Sequence, residues 1–168
     1  MRKFTKRGHD AIVAEIERLW NEERPFVLEE IYEAAQLGDR SENAAYIYGK
    51  QRLRMIDKRL NMLRKKIKDV LVIDTDTLEQ KDIVDFGALV TIEDDAGNER
   101  SYRLVDREEI DPEKNWISVQ SPMGKALLGK SVDDDFELHL PKGIKNYEVI
   151  AIHYGPDPIK DEEGKRNE

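Results

Sequence analysis

The sequence predicts an α+β protein, an antiparallel α-helical coiled-coil hairpin followed by a small antiparallel-sheet domain with one short helix. Three observations carry that reading. Leu53, Ile56, Leu60, Leu63, Ile67 and Val70 recur at alternating spacings of three and four, the a/d seam of a coiled coil. Gly38 and its polar neighbours separate this pattern from an earlier helical one. Beyond Asp85 the apolar period changes to two, the period of strands.

The first helix is expected over residues 9–37. Ile12, Ile16 and Leu19 fall at spacings of four and three, and Trp20, Val27, Ile31 and Ala34 carry the stripe onward, shifted by one position. Pro25 interrupts it. Proline has no N–H to give and its ring crowds the preceding turn, so a kink or break is expected near Arg24. Gly38 suits the left-handed residue that closes a helix. The second helix is expected over residues 44–70. A short link between two long helices favours antiparallel packing, which puts the hairpin turn at residues 38–43. Twenty-odd residues at 1.5 Å each make an arm roughly 40 Å long. The chain has too little other helix to bury such a hairpin in a larger bundle, so it reads as a projecting arm.

The acidic stretch from Asp74 to Asp85 has no clear period and reads as linker. The organisation is then a coiled-coil domain over 1–75, a linker over 76–85, a sheet domain over 86–155 and a disordered tail over 156–168. In the sheet domain, strands are expected at 88–92, 101–105, 116–119, 136–140 and 147–152. The turn Asp94-Asp95-Ala96-Gly97-Asn98 joins the first two. Ser121 to Gly129 reads as the short helix, with Ser121 as cap, Pro122 at its first position and Gly129 at its end.

Composition narrows the function. The 168 residues include no cysteine, which excludes disulfides and thiolate metal sites. No apolar run approaches the length of a transmembrane helix, and the basic N-terminus lacks the apolar stretch of a signal peptide, so a cytoplasmic protein with no membrane contact is expected. His9, His139 and His153 are too far apart to suggest a zinc site. No glycine-rich phosphate loop and no nucleophile elbow is present, and Ser41 has no histidine near it in sequence. Charge is uneven. Residues 1–75 carry 16 Lys and Arg against 13 Asp and Glu, whereas residues 76–168 carry 12 against 23. Halves of opposite sign suit either two domains with different partners or a drift of surface charge.

The chemistry that remains lies in the turn. Asp39 and Glu42 are three residues apart. On a helical turn that spacing puts both carboxylates on one face, where they repel unless a cation sits between them. Carboxylate oxygens suit a hard cation such as Mg²⁺, which usually completes its shell with water and substrate phosphates. Two carboxylates at an exposed tip would thus complete a site belonging to another molecule. The same residues also fit a capped helix, with Asp39 as N-cap and Glu42 as its capping-box partner. The second helix is basic: Lys50, Arg52, Arg54, Lys58, Arg59, Arg64, Lys65, Lys66 and Lys68 face only Asp57 and Asp69 between residues 50 and 69. A solvated face normally interleaves both signs, so this one suits a polyanion. Arg52, Arg54, Lys58 and Arg59 are expected to be solvated in the free protein.

Leu37-Gly38-Asp39-Arg40-Ser41-Glu42-Asn43-Ala44, with Tyr46, Tyr48, Lys50, Arg52-Leu53-Arg54 and Ile56-Asp57 after it, resembles the bacterial Gre transcript cleavage factors, the GreB type in particular. Ser121-Pro122-Met123-Gly124-Lys125-Ala126-Leu127-Leu128-Gly129-Lys130 resembles that family's C-terminal motif. The likeness runs over about residues 4–154. It implies an FKBP-like C-terminal domain that docks at the rim of the secondary channel of bacterial RNA polymerase, through Ser121, Pro122 and Met123. It implies that the coiled coil enters the channel. There Asp39 and Glu42 help hold a Mg²⁺ shared with the polymerase active site, and the factor has no cofactor of its own. Arg40, Ser41, Asn43, Tyr46, Arg52, Arg54, Lys58 and Arg59 would face RNA or polymerase. The polymerase itself would hydrolyse the 3′ end of backtracked nascent RNA, so the factor is not an enzyme. It would act as a monomer and contact DNA only indirectly.

Two positions depart from the family pattern. Ala45 stands where an acidic residue is usual, and Gly49 where Asn is common. The loss at Ala45 keeps open a channel-occupying regulator that inhibits without strong cleavage. A prolyl isomerase of the FKBP type would need an aromatic-lined pocket. Phe86, Tyr102, Trp116, Phe136 and Tyr147 are the available residues, and strand aromatics are more often core.

Overall fold

The computed structural model describes residues 1–39 and 42–158. The chain divides into two compact units. One is Arg7–Val70 together with Met1. The other is Arg2–Lys6 together with the chain from Leu71 onward. The sequence reading placed residues 1–75 in one domain; by contacts the first strand groups with the second unit.

The first unit is helical. Helix α1 spans Lys6–Arg18 and α2 spans Arg24–Gln36. Between them Leu19–Glu23 form a π-helical turn, in which the Arg24 N–H reaches back to the Leu19 carbonyl. No break occurs at Pro25: Arg18, Glu23 and Arg24 all keep helical dihedrals. The irregularity expected near Arg24 is this wide turn, which makes room for the ring just ahead of the proline without breaking the helix. It also explains the shifted stripe. A π turn adds one residue to the helix, so the position seven after Leu19 is displaced by one. Val27 is therefore fully buried, while its neighbour Phe26 is 55% exposed. Trp20, read from sequence as part of the stripe, is exposed instead, with the guanidinium groups of Arg24 and Arg64 at 5.1 and 5.2 Å from its ring centre.

Helix α3 spans Ala44–Lys66 and packs along α2. Leu19, Val27, Ile56, Leu60 and Leu63 form the buried core of the unit, flanked by Ile12, Ile16, Ile31 and Leu53. Cutting Leu60 to Ala would cost about 2–5 kcal/mol, the usual range for a buried leucine. The seam ends earlier than the sequence pattern suggests. Ile67 caps α3 and Asp69 turns through a positive φ of 54°. Val70 then opens a strand, β2, over Val70–Ile73.

The second unit starts with β1, Arg2–Thr5, which pairs with β2 in a two-stranded sheet. Glu109 holds β1 in place. Its carboxylate accepts from the Thr5 N–H at 3.1 Å and also from the Thr5 hydroxyl. The main sheet has five strands in the order β5-β4-β3-β7-β6. They are β3 (Leu89–Asp94), β4 (Glu99–Val105), β5 (Trp116–Ser118), β6 (Asp135–Leu140) and β7 (Gly143–His153). The sheet is mixed, since β5 runs parallel to β4 while the other pairs are antiparallel. This corrects the antiparallel sheet read from sequence. A three-residue strand carries too little pattern to set its own direction, and its pairing is decided by the turns around Asp111, whose N–H and carbonyl bond back to Trp116.

Helix α4, Pro122–Leu127, lies beside β5 with Ser121 as its N-cap. Gly124 is required there, because a Cβ would come within 2.1 Å of the Ser118 carbonyl oxygen. Val84, Ala88, Val90, Ile92, Leu104, Leu127, Phe136, Val149, Ile152 and Tyr154 form the core. Of the expected tail, 156–158 are described; residues 159–168 lie outside the described residues.

Candidate functional site

The site predicted at 38–43 is built from two helix ends. Helix α2 closes on Leu37, whose N–H bonds to the Ala34 carbonyl at 3.1 Å. Gly38 follows at φ 130°, in the region that favours glycine. Helix α3 opens on Asn43, an extended residue whose side-chain oxygen accepts from the Tyr46 N–H at 3.1 Å. The same side chain donates its amide N–H to the Ala34 carbonyl at 2.6 Å. One asparagine therefore caps the start of α3 and gives the Ala34 carbonyl, in the last turn of α2, a second donor beside the Leu37 N–H.

That arrangement takes the cap of α3 away from Asp39 and Glu42. Neither carboxylate caps α3, because Asn43 does. Both are exposed, Asp39 outside regular structure and Glu42 in a turn. Nor do they owe their placement to one helical face, since α3 begins only at Ala44. They belong to the loop that Asn43 closes. Arg40 and Ser41, expected to face RNA or polymerase, lie outside the described residues. Ala45 is exposed, and the first turn of α3 contains no acidic residue. Tyr46 is half-buried at the third position of the helix.

The basic flank is more neutral than its sequence suggests. Arg59 makes two hydrogen bonds to Glu15, at 2.7 and 3.0 Å. They hold the Glu15 carboxyl below the usual carboxylate range. Arg52 pairs with Glu30 at 3.2 Å, and Asp57 of α3 pairs with Arg24 at 2.8 Å. Arg52 and Arg59 are solvent-accessible, as expected, and they also have counter-charges, which come from α1 and α2, on the facing helix rather than along α3. Among the described residues, Arg54 and Lys58 have no ion-pair partner and stay exposed.

Ser121, Pro122 and Met123 occupy the start of α4. The Ser121 hydroxyl accepts from the Gly124 N–H at 3.0 Å and donates to the Ser118 carbonyl at 2.7 Å. Pro122 is exposed. Met123 is half-buried and packs against the core of the second unit. Of the aromatics considered for a proline pocket, Phe86 and Phe136 are buried. Phe136 stacks on Tyr147 with ring centres 5.5 Å apart. The cleft beside that pair is lined by Glu93, Asp94, Asp95, Asp135, Glu137 and Glu148, a polar lining unlike an apolar proline pocket.

Fold and site together define a class: a two-unit α+β chain that presents carboxylates on the loop of a helical hairpin instead of enclosing them. The family model for the N-terminal domain of transcription elongation factors matches residues 3–72, and that for the GreA/GreB C-terminal domain matches residues 79–154. Relatives include the transcription elongation factor GreB of Pasteurella multocida, 47% identical, covering 90% of this chain and 95% of that protein. GreB of Yersinia pestis is 45% identical, covering 91% of this chain and 89% of that one. Among solved structures, the GreA factor homolog 1 protein of Thermus thermophilus is 28% identical, covering 90% of this chain and 98% of that one, with a TM-score of 0.40. The chain belongs to the GreA/GreB family of transcription elongation factors, and its similarity to GreB runs over most of its length. Factors of this family act on RNA polymerase during elongation.

Proposed function

We propose that this chain enters the secondary channel of bacterial RNA polymerase with its hairpin foremost and stimulates cleavage of the 3′ end of backtracked nascent RNA. Asp39 and Glu42 act at the tip, and the polymerase performs the hydrolysis. The observation that carries the reading is the division of labour in the loop. Asn43 caps α3, and both carboxylates are exposed in the loop before it.

The residues fit a metal only in part. Among the described residues no group of three or more His, Cys, Asp or Glu comes together to hold an ion. Asp39 and Glu42 therefore fit Mg²⁺ as two members of a larger ligand set, whose other members are polymerase groups, RNA phosphate and water. When bound, Mg²⁺ would stabilise the attacking and leaving oxygens of an in-line displacement. The work of this chain is to bring the two carboxylates there and hold them. The protein acts as a monomer in the cytoplasm, with DNA contacted only through the polymerase; no described helix is long and apolar enough to cross a membrane.

The test is an assay of shortened RNA in backtracked complexes with cognate polymerase. Asp39→Ala and Glu42→Ala should each abolish stimulated cleavage and leave polymerase affinity nearly unchanged. Wild-type cleavage by either variant would remove that residue from the tip chemistry.

A second reading keeps the fold and the channel and reverses the outcome, so that the factor inhibits. The observation in its favour is the first turn of α3, which holds no acidic residue because position 45 is alanine. Ala45→Asp should raise cleavage or lower the Mg²⁺ needed for half-maximal cleavage. If wild type slows elongation without shortening RNA, and Ala45→Asp restores cleavage, the inhibitory reading stands.

A further inference from the structure

We propose that Asn43 is a positioning residue for the acidic tip: its amide ties the end of α2 to the start of α3, and that tie sets where Asp39 and Glu42 are held. The inference rests on the reading above for what the two carboxylates do. It differs from the sequence expectation, which placed Asn43 among residues facing RNA or polymerase.

The geometry assigns both halves of the amide. Oδ1 accepts from the Tyr46 N–H at 3.1 Å, and Nδ2 donates to the Ala34 carbonyl at 2.6 Å. Ala34 is 5% exposed, so its carbonyl, which also accepts from the Leu37 N–H at 3.1 Å, takes its second bond from Asn43 where water has little access. Beyond Leu37 the chain leaves the helix through Gly38 at φ 130°, a residue with nothing within 4 Å of where its Cβ would stand. Gly38 has no side chain of its own to hold the loop. On the other side, the Asn43 carbonyl takes the first intrahelical bond, from Ile47 N–H at 3.0 Å. The two carboxylates lie between these ends, and the Asn43 side chain is a polar link that joins them.

The chemistry of the amide makes the role specific. Aspartate, serine and threonine all cap helices well. None pairs a cap acceptor with an amide N–H of the reach needed for Ala34. An asparagine at this position thus does something that cap strength alone does not require. Serine at position 43 would keep the cap and lose the tie, and alanine would lose both.

The experiment has two readouts. The first uses the free protein. The Asn43 side-chain amide protons should exchange with solvent at least about tenfold more slowly than those of an exposed asparagine. In Asn43→Ser, the Tyr46 amide should stay protected while amide shifts from Ala34 to Asn43 move; in Asn43→Ala, Tyr46 protection should fall as well. The second uses backtracked complexes. Asn43→Ser should bind polymerase as wild type does. It should need more Mg²⁺ and lose about 10- to 100-fold in cleavage rate, the scale expected when a catalytic group is misplaced by about 1 Å. Fast exchange of the Asn43 amide protons would overturn the tie. Wild-type cleavage by Asn43→Ser at every Mg²⁺ concentration, with Glu42→Ala inactive, would overturn the positioning role. If Asp39→Ala and Glu42→Ala both cleave normally, the tip function fails instead, and the exchange data still decide the tie.

Discussion

Gly49 of α3 faces Ile31 of α2 so closely that a Cβ on Gly49 would stand 2.7 Å from Ile31 Cγ1. The glycine is buried within a helix, where it costs about 1 kcal/mol relative to alanine. Close packing of the two helices below the tip is what the chain gains for that cost. Gly49→Ala should therefore destabilise the hairpin by about 1 kcal/mol, the overpacking penalty of about 1–3 kcal/mol exceeding the gain in propensity. In an Ile31→Ala background the same substitution should turn neutral or stabilising. Denaturant melts followed by helical circular dichroism would read both, and a stabilising effect in the wild-type background would contradict the contact.

Arg54 and Lys58, without an ion-pair partner among the described residues, should separate from the paired Arg52 and Arg59. Arg54→Gln with Lys58→Gln should change stability by less than about 0.5 kcal/mol. Arg59→Gln should cost up to about 1 kcal/mol, the upper range for an exposed pair. If the flank attracts extruded RNA, the Arg54 and Lys58 variant should lose more activity on long backtracked RNA than on short. That gap should close as salt rises, because phosphate contacts release counterions. Equal loss at all lengths and all salt concentrations would remove RNA from the account.

Docking through α4 needs a probe that spares the core. Met123→Asp would place a carboxylate against the packed side chains of the second unit and should destabilise it by about 1–3 kcal/mol. A loss of polymerase binding in that variant would say little about contact. Pro122→Asp changes an exposed position in the first turn, where a negative charge is tolerated or favoured. It should melt as wild type and bind polymerase more weakly. Unaltered affinity would move the docking contact off Pro122.

Glu109 makes stability depend on pH. Burial pushes its carboxyl above the ordinary range, against the hydrogen bonds from Thr5 that favour the charged form. The folded state therefore keeps a proton there that the unfolded chain releases. The stability this group contributes is full below its unfolded pKa and declines as pH rises through the raised folded value. Glu109→Gln cannot titrate. Wild type should lose stability relative to Glu109→Gln as pH rises just above the ordinary carboxylate range. Parallel melting curves across that window would show that the buried carboxyl titrates normally.

Much of the architecture was legible because it rests on short repeats. Leu53, Ile56, Leu60 and Leu63 announce their buried face within one helix, since the period places them together whatever the partner. Asp94 to Asn98 announces its turn equally well: the Asp94 carboxylate accepts from the N–H groups of Ala96 and Asn98, both at 2.9 Å. The one-residue shift after Leu19 was visible too, although its cause, a π turn ahead of Pro25, was not.

What escaped the sequence depended on groups far apart along the chain. Asp39 and Asn43 are both competent caps, and local chemistry does not choose between them. The choice is made by the Ala34 carbonyl, which only the folded hairpin brings within reach of Asn43. Arg-Lys-Phe-Thr is a poor strand until β2 pairs with it and Glu109, 104 residues after Thr5, accepts its hydrogen bonds. The excess charge of α3 is genuine in the sequence, yet Glu15 and Glu30, 44 and 22 residues from their partners, offset part of it. By itself, then, the sequence determined the two architectures, the acidic loop between the helices and the family. Tertiary structure decided which residue closes that loop, which cations stay unpaired and which way β5 runs. Each of those outcomes is a hydrogen bond or an ion pair between distant segments, and such partners have no address in a local pattern.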